Sequence, residues 1–169
     1  MNSEKWLFEL LNKRTKQRWK RFSKYYIKDS KPFINKIYRD YEYKSRYFDK
    51  GFPVHILKMI NKISKKNYDS AVCILMGALP YTILFEVCGW KVHYVICGRK
   101  NEKVAKNEME LRFNKNLDNS IKQIKGKRIL LIENNSLTGN TPYRTALELK
   151  KAFNIKKPDL FLDYFIRPR

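Results

Sequence analysis

The residues best suited to chemistry lie in one loop near the end of the chain. Four apolar residues, Ile129 to Ile132, are followed by Glu133 and then by a run of small hydroxyl, amide and glycine residues. Pro142 suits the first position of a helix, with Thr141 as its N-cap. Backbone N–H groups at such a helix N-terminus bind phosphate, aided by glycine and hydroxyls. The pattern predicts a phosphate-binding loop, although any connection from strand to helix also needs small residues and a cap.

A second candidate is a cluster of positive charge near the N-terminus. Seven basic residues fall within residues 13–24 without an acidic residue between them. Such a run is commonly a solvated helix face, but one this dense repels itself unless something negative lies against it. We expect it to bind nucleic-acid backbone, with Tyr25 or Tyr26 stacking on an unpaired base if either is exposed. The basic residues are Lys13, Arg14, Lys16, Arg18, Lys20, Arg21 and Lys24.

The cysteines and histidines do not form a recognisable site. Cys73, Cys88 and Cys97 are odd in number and contain no CxxC pair, and His55 and His93 are the only histidines. Neither a disulfide framework nor a zinc site is indicated. We interpret the cysteines as small core residues.

The composition favours a polyanionic partner. Thirty-seven basic residues against 16 acidic ones give a net charge of +21, which attracts polyanions at long range. At 169 residues the chain is long enough for one domain with an additional arm. No apolar stretch approaches the roughly 18 to 20 residues of a membrane span, and no apolar signal segment follows the charged N-terminus. We therefore expect a cytoplasmic protein without a membrane partner.

Two segments of the chain, which meet near Gly51, must position these residues. Residues 1–50 hold 15 basic and 6 acidic side chains and no glycine. The steps of three or four residues that separate Leu7, Leu11, Thr15, Trp19, Phe22 and Tyr26 predict one buried stripe on a helix. Residues 1–50 are thus a basic, aromatic-rich helical arm, much of whose stripe we expect to be buried.

Residues 51–169 alternate between helical and strand patterns. Helices are predicted over 54–63, 80–88 and 142–153, and strands over 71–75, 91–97, 128–133 and 159–166. Residues 98–120 are polar and charged, which predicts a long loop or a weak helix. The alternation predicts an α/β domain, a parallel sheet with helices on both faces. In such a sheet a ligand binds beyond the carboxyl ends of the strands, where the phosphate loop would lie.

Two segments resemble the type I phosphoribosyltransferases. The segment "ILLIENNSLTGNT" (129–141) is similar to the family signature, in which an apolar strand ends in two acids and a loop closes with Thr-Gly-x-Thr. The segment "AVCILMGALPYTILFEVCGWKVHYV" (71–95) is similar to the first core strand of the family, its pyrophosphate loop, and the helix and strand that follow. The resemblance spans roughly residues 68–166.

The resemblance implies a site for 5-phosphoribosyl 1-diphosphate. It assigns the 5-phosphate to Ser136, Thr138, Gly139, Asn140 and Thr141. It assigns the ribose hydroxyls, directly or through Mg²⁺, to Glu133 and Asn134. It assigns the pyrophosphate to Met76, Gly77 and Ala78.

Three positions depart from the family pattern. Asn134 replaces the second acid, Leu137 stands where many purine-specific members carry an acid, and Met76 stands where a basic residue often precedes the loop glycine. The family reaction develops positive charge on the ribose while pyrophosphate leaves with magnesium, so the loss of an acid weakens transfer. We expect a site fit for phosphate and poorly fitted for transfer.

Two classes of function follow. The first is a phosphoribosyltransferase-like protein without transferase activity that binds nucleic acid or a nucleoprotein partner. The resemblance suggests a setting for it, since phosphoribosyltransferase-like proteins accompany bacterial reverse transcriptases of the retron type in defence. The alternative is a divergent enzyme acting on phosphoribosyl diphosphate, a nucleobase or a nucleotide. We favour the first. Mg²⁺ is expected only if the phosphoribosyl diphosphate site is retained, and the chain could associate with a second copy.

Overall fold

The computed structural model describes residues 3–23, 52–75, 77–99, 111–114, 119–136, 140–156 and 158–165. Its contacts divide the chain into an N-terminal unit, Met1–Ile63, and a C-terminal unit, Ser64–Arg169. The predicted domain boundary at residue 51 stays a prediction.

The described part of the N-terminal unit consists of two helices. Helix α1 spans Ser3–Ser23 and helix α2 spans Phe52–Asn61, and the two pack against each other. Neither glycine nor proline interrupts α1, and Pro53 lies in the first turn of α2, where no backbone donor is needed. The predicted stripe is confirmed at four positions, because Leu7, Leu11, Thr15 and Phe22 are buried. The side chain of Trp19 and all of Tyr26 lie outside the described residues.

The C-terminal unit is built on a sheet of five strands: β1 (Ser70–Leu75), β2 (Val92–Arg99), β3 (Leu111–Asn114), β4 (Ile129–Ser136) and β5 (Asp159–Phe165). Their order in the sheet is β3-β2-β1-β4-β5. Strand β1 is parallel to β2 and β4, and β4 is parallel to β5, whereas β3 at the edge is antiparallel to β2. The register places Cys73 of β1 between Tyr94 of β2 and Ile132 of β4. Helix α3 (Leu79–Val87) connects β1 to β2, and helix α4 (Asn140–Phe153) connects β4 to β5. Two 3-10 turns, at Lys65–Asn67 and Asn119–Ile124, precede β1 and β4.

Helices cover both faces of this sheet, as predicted. One face carries Val72, Val95 and Leu131 in a core with Leu149 and Phe153 of α4 and residues of the second 3-10 turn. Successive strand residues point to opposite faces. The other face therefore carries Cys73 and Ile132, and α3 packs against it.

Aromatic rings close the α3 face. Phe85 of α3 lies edge-on to Phe161 of β5, with ring centroids 5.0 Å apart, and edge-on to Trp90 at 5.2 Å. Gly89, with φ of 76°, then reverses the chain towards β2 in a left-handed conformation that favours glycine.

The sequence prediction was wrong at one strand. Residues 98–120 were expected to form a loop or a weak helix, but β2 extends to Arg99 and Leu111–Asn114 forms β3. Strand β3 is stabilised by its hydrogen bonds to the antiparallel strand β2. Its own four residues lie in a charged segment and are too few to show the alternation of apolar and polar residues that indicates a strand. Residues 100–110 and 115–118 lie outside the described part.

Among the described helices, none combines the length and the apolar character needed to cross a bilayer.

Candidate phosphate-binding site and basic helix face

The two loops with predicted ligand-binding roles follow the carboxyl ends of adjacent strands. They therefore lie at the same end of the sheet, which we call its carboxyl edge. Strand β1 leads through α3 to β2 on one side, and β4 leads through α4 to β5 on the other. The chain therefore changes direction between β1 and β4, which is the place where open α/β sheets bind ligands. The predicted pyrophosphate loop follows the carboxyl end of β1, and the predicted phosphate loop follows that of β4.

Glu133 lies near the carboxyl end of β4 and is almost fully enclosed. The residue is 7% exposed, and its Oε1 accepts a hydrogen bond from the backbone N–H of Asn134 at 3.0 Å. Burial raises the pKa of Glu133 to about 7, although the backbone hydrogen bond lowers it. The carboxyl therefore keeps its proton to a higher pH than an exposed glutamate does.

Asn134 contacts the loop that follows β1. A Cβ atom built on Gly77 would lie 2.6 Å from Asn134 Oδ1 and 2.9 Å from its Cγ and Nδ2. Glycine at position 77 thus leaves the space that the Asn134 amide occupies. Because strand residues alternate, Glu133 and Asn134 project to opposite faces of β4. The side chains of Glu133 and Asn134, the two residues predicted to bind ribose, therefore do not point towards one place.

The other residues of the predicted pyrophosphate loop are described in part. Ala78 is fully buried and precedes α3, and its carbonyl oxygen accepts a hydrogen bond from Thr82 Oγ1 at 3.1 Å. Gly77 is exposed, and Met76 lies outside the described residues.

The predicted phosphate loop is bounded by described backbone on each side. Ser136 is the last residue of β4 and is paired with Phe165 of β5, so the strand runs three residues beyond its predicted end. Helix α4 begins at Asn140, so the prediction of Thr141 as N-cap was wrong and Thr141 lies in the first turn. Its carbonyl oxygen accepts a hydrogen bond from Thr145 Oγ1 at 2.8 Å. Leu137, Thr138 and Gly139, and the side chains of Ser136 and Asn140, lie outside the described residues.

The donor set does not fit a divalent cation held by the protein alone. Of the predicted pair, one member is a buried carboxyl with a raised pKa and the other is a neutral amide. Mg²⁺ is commonly bound by one or two ionised carboxylates together with substrate phosphates. Among the described residues, no group of three His, Cys, Asp or Glu side chains is placed to hold a metal.

Two of the three cysteines are core residues, as predicted. Cys73 and Cys97 are buried, Cys88 is half-buried, and all three are reduced thiols. Burial raises the pKa of the Cys97 thiol, and the charges of Glu133 and Glu148 raise it further. A thiol in this state is a poor nucleophile.

Comparison with known proteins identifies the fold. No family model matches the chain, and no curated protein is significantly similar to it in sequence. A purine phosphoribosyltransferase from Pyrococcus horikoshii superposes with a TM-score of 0.50 at 15% identity, over 68% of this chain and 82% of that one. The chain has a phosphoribosyltransferase-like fold. At this identity the similarity establishes the fold alone.

Two further solved structures are similar at lower TM-scores. A hypothetical protein from Neisseria gonorrhoeae with bound ppGpp has a TM-score of 0.48 and 17% identity, over 65% of this chain and 64% of that one. An orotate phosphoribosyltransferase from Aeropyrum pernix has a TM-score of 0.46 and 12% identity, over 70% of this chain and 74% of that one.

Outside the phosphoribosyltransferase-like sheet, α1 presents the predicted basic residues. At 100° per residue, Lys13, Lys16 and Lys20 lie on the side of the helix opposite its buried side chains. Arg14 and Arg21 flank the buried side, and the Arg21 guanidinium lies over the Phe22 ring, 5.3 Å from its centroid. These five, all exposed, are Lys13, Arg14, Lys16, Lys20 and Arg21, and we call them the basic face. Arg18 lies within the arc of the buried side chains and is half-buried, and Lys24 lies outside the described residues. The structure brings five of the seven predicted residues together.

One residue of this surface was missed by sequence reasoning. Trp6 is one of the aromatic residues of the arm, and 50% of it is exposed. It precedes Lys13 by seven residues and Lys20 by 14, a spacing that places the three in one row along the helix. That spacing was the signal in the sequence. Tyr25 and Tyr26, the predicted stacking residues, lie outside the described part.

Proposed function

We propose that this phosphoribosyltransferase-like protein binds nucleic acid through the basic face of α1 and does not transfer phosphoribosyl groups. The observation that carries the proposal is the one-sided burial of α1. Leu7, Leu11 and Phe22 are enclosed, while the five residues of the basic face are all exposed. Packing therefore accounts for one side of the helix and leaves the charged side as a surface.

The charge of that surface selects phosphates as its ligand. Five cations within nine residues form a positive field that the net charge of +21 reinforces. Glu9, an exposed acid of α1, lies one turn before Lys13. Arginine forks bind phosphate oxygens in pairs, and lysine acts as a point charge. Contacts of this kind position a protein on nucleic acid without reading its sequence.

The C-terminal unit supports binding of a phosphorylated ligand more than it supports transfer. Two loops meet at the change of direction between β1 and β4, and the first turn of α4 points its N–H groups towards that edge. A transferase site must also stabilise the positive charge that develops on the ribose. Here one carboxyl has a pKa of about 7, and its neighbour, Asn134, carries no charge. The divergent enzyme remains the alternative, and release of pyrophosphate would identify it.

Co-purification with nucleic acid tests the proposal. The ratio of absorbance at 260 nm to that at 280 nm should be high for the wild-type protein and fall after a high-salt wash. A variant with Lys13, Lys16, Lys20 and Arg21 changed to Glu should purify without nucleic acid. The control changes Lys122, Lys125, Lys150 and Lys156, four exposed lysines of the C-terminal unit, to Glu and therefore has the same net charge.

The control variant should retain nucleic acid. Equal loss from both variants would show that net charge, and not α1, retains the nucleic acid, and would contradict the proposal. The larger complex that such a protein would serve, including the retron-type setting that the resemblance suggests, stays a prediction.

A further inference from the structure

We infer that Trp6 stacks on an unpaired base and that the nucleic acid bound by α1 is therefore single-stranded. This inference rests on the proposed nucleic-acid binding and specifies its partner. It comes from the position of one exposed aromatic side chain among exposed cations.

Trp6 shares the row of α1 that carries two lysines of the basic face. A step of seven residues falls about 20° short of two full turns, so Trp6, Lys13 and Lys20 lie nearly in line. At a rise of about 1.5 Å per residue, neighbouring members of the row are roughly 10 Å apart along the helix. Gln17, which is also exposed, lies on the same side of the helix. Glu9, also exposed, lies between Trp6 and Lys13 on this side. The row therefore carries an aromatic plane at one end, one acid beside it and two cations beyond.

The exposure of Trp6 is not required by the packing of α1. The enclosed side of the helix is formed by Leu7, Leu11 and Phe22, each of which is less than a tenth exposed. Trp6 projects from the opposite side with half of its surface in water. A single exposed apolar side chain is common on protein surfaces, and Trp6 is distinguished by the lysines that share its side of the helix.

Single-stranded nucleic acid matches both features. Its phosphates bind the lysines, and its unpaired bases offer their faces to an aromatic ring. In a duplex the base faces are stacked on one another, and a protein reaches the base edges in the grooves. The indole of Trp6 therefore adds affinity for a single strand that a duplex of the same charge does not receive.

A membrane surface fits the geometry less well. Helices that lie in a bilayer interface place Trp, Phe and Leu on the apolar side, opposite the basic side. In α1 the apolar side is buried within the protein, and Trp6 lies on the charged side. Insertion of the indole into lipid would carry the neighbouring lysines with it.

The experiment measures fluorescence anisotropy of labelled oligonucleotides of equal length, single-stranded and duplex, with the full chain. The test variant is Trp6→Ala, and Trp6→Phe retains an aromatic ring. Tyr143→Ala is the matched control, because Tyr143 is a 62% exposed aromatic residue of α4 in the other unit. Vesicles containing anionic lipid serve as the membrane probe.

The wild-type protein should prefer the single strand. Trp6→Ala should weaken single-strand binding by about 5- to 150-fold, the range for loss of one stacked base, and change duplex binding less than twofold. Trp6→Phe should keep most of the affinity, and Tyr143→Ala should change neither binding. Quenching of tryptophan emission by the single strand should be reduced in Trp6→Phe.

Three results would overturn the inference. These are unchanged single-strand affinity in Trp6→Ala, an equal loss of affinity for both oligonucleotides, and Trp6-dependent binding of vesicles without any effect on oligonucleotides. The proposed function fails separately, if the wild-type protein binds neither oligonucleotide. Binding that depends on the basic face but not on Trp6 would remove the stacking role and leave the proposed function intact.

Discussion

The amide oxygen of Asn134 lies 2.6 Å from the position that a Cβ atom on Gly77 would occupy. The contact joins the carboxyl end of β4 to the loop after β1, at the place where the sheet changes direction. It couples a residue predicted to contact ribose to one predicted to contact pyrophosphate. The shape of this edge therefore depends on both residues together.

Replacement of Gly77 by Ala should destabilise the fold by crowding the Asn134 amide. The atoms in the way are the end of the Asn134 side chain and Gly77 is exposed, so displacement of that side chain from its rotamer relieves the crowding at a cost of roughly 0.5 to 1.5 kcal/mol. We expect the Gly77→Ala variant to lose about that free energy of unfolding in urea. Asn134→Ala in the same chain should restore most of the loss. Additive effects of the two substitutions in a double-mutant cycle would show that the contact does not couple them.

The ionisation of Glu133 should make stability fall as the pH rises towards neutrality. Its pKa is about 7 in the folded chain and 4.5 in the reference state, so the folded state binds the proton more tightly. The extra stability is complete below about pH 4.5 and is lost as pH rises through 7. A shift of this size corresponds to about 3 kcal/mol.

Glu133→Gln isolates this effect, since the amide oxygen can still accept the hydrogen bond from Asn134. Denaturant unfolding between pH 5 and 8 should show the wild type losing stability relative to the variant. A difference between the two proteins that is constant across this range would contradict the assigned pKa.

Most of the C-terminal unit could be predicted from the sequence because its elements are strongly periodic. Strand β1 was expected over 71–75 and spans Ser70–Leu75, and α3 was expected over 80–88 and spans Leu79–Val87. The alternation of these elements was enough to predict helices on both faces of the sheet. Strand β3 was missed because its short sequence shows no clear strand pattern, and the hydrogen bonds that form it depend on β2.

The candidate site could be predicted only in part. Residue types located the loops, and the order of the strands brought both loops to one edge. The contact between Asn134 and Gly77 depends on which strands are neighbours, which residue spacing does not reveal. The raised pKa of Glu133 depends on burial by the whole unit. Trp6, in contrast, could have been found from its spacing to Lys13 alone.

If the phosphate loop binds an anion, a phosphorylated ligand should raise the melting temperature. A ligand that binds only the folded state adds RT ln(1 + [L]/Kd) to stability. Phosphoribosyl diphosphate or ribose 5-phosphate at millimolar concentration should produce the shift, and Gly139→Val should abolish it.

Gly89→Ala is the control for this ligand experiment. Gly89 lies between α3 and the start of β2, at the end of the sheet opposite to the candidate site. Its φ of 76° makes alanine costly, so the variant should melt at a lower temperature. Its ligand-dependent shift should nevertheless match that of the wild type. A wild-type melting temperature indifferent to these ligands would leave the loop without a binding role.

Restoration of an acid at position 134 tests the loss of transfer chemistry. In the wild type, the shift given by phosphoribosyl diphosphate should be nearly independent of Mg²⁺, since a neutral amide and a partly protonated carboxyl attract the cation weakly. Asn134→Asp should make the shift depend on Mg²⁺. The wild-type protein should release no pyrophosphate with common nucleobases, and sustained release would support the divergent enzyme instead.

The salt dependence of nucleic-acid affinity tests the central claim most directly. Fluorescence anisotropy across a series of salt concentrations should show log affinity falling linearly with log salt, by about 0.7 per phosphate neutralised on a single strand. Changing Lys13, Lys16, Lys20 and Arg21 to Glu should reduce the slope by about 3 and weaken binding, with an unchanged circular dichroism spectrum. The variant of the four lysines of the C-terminal unit should keep the wild-type slope. Wild-type affinity and slope in a well-folded α1 variant would contradict the assignment of nucleic-acid binding to the basic face.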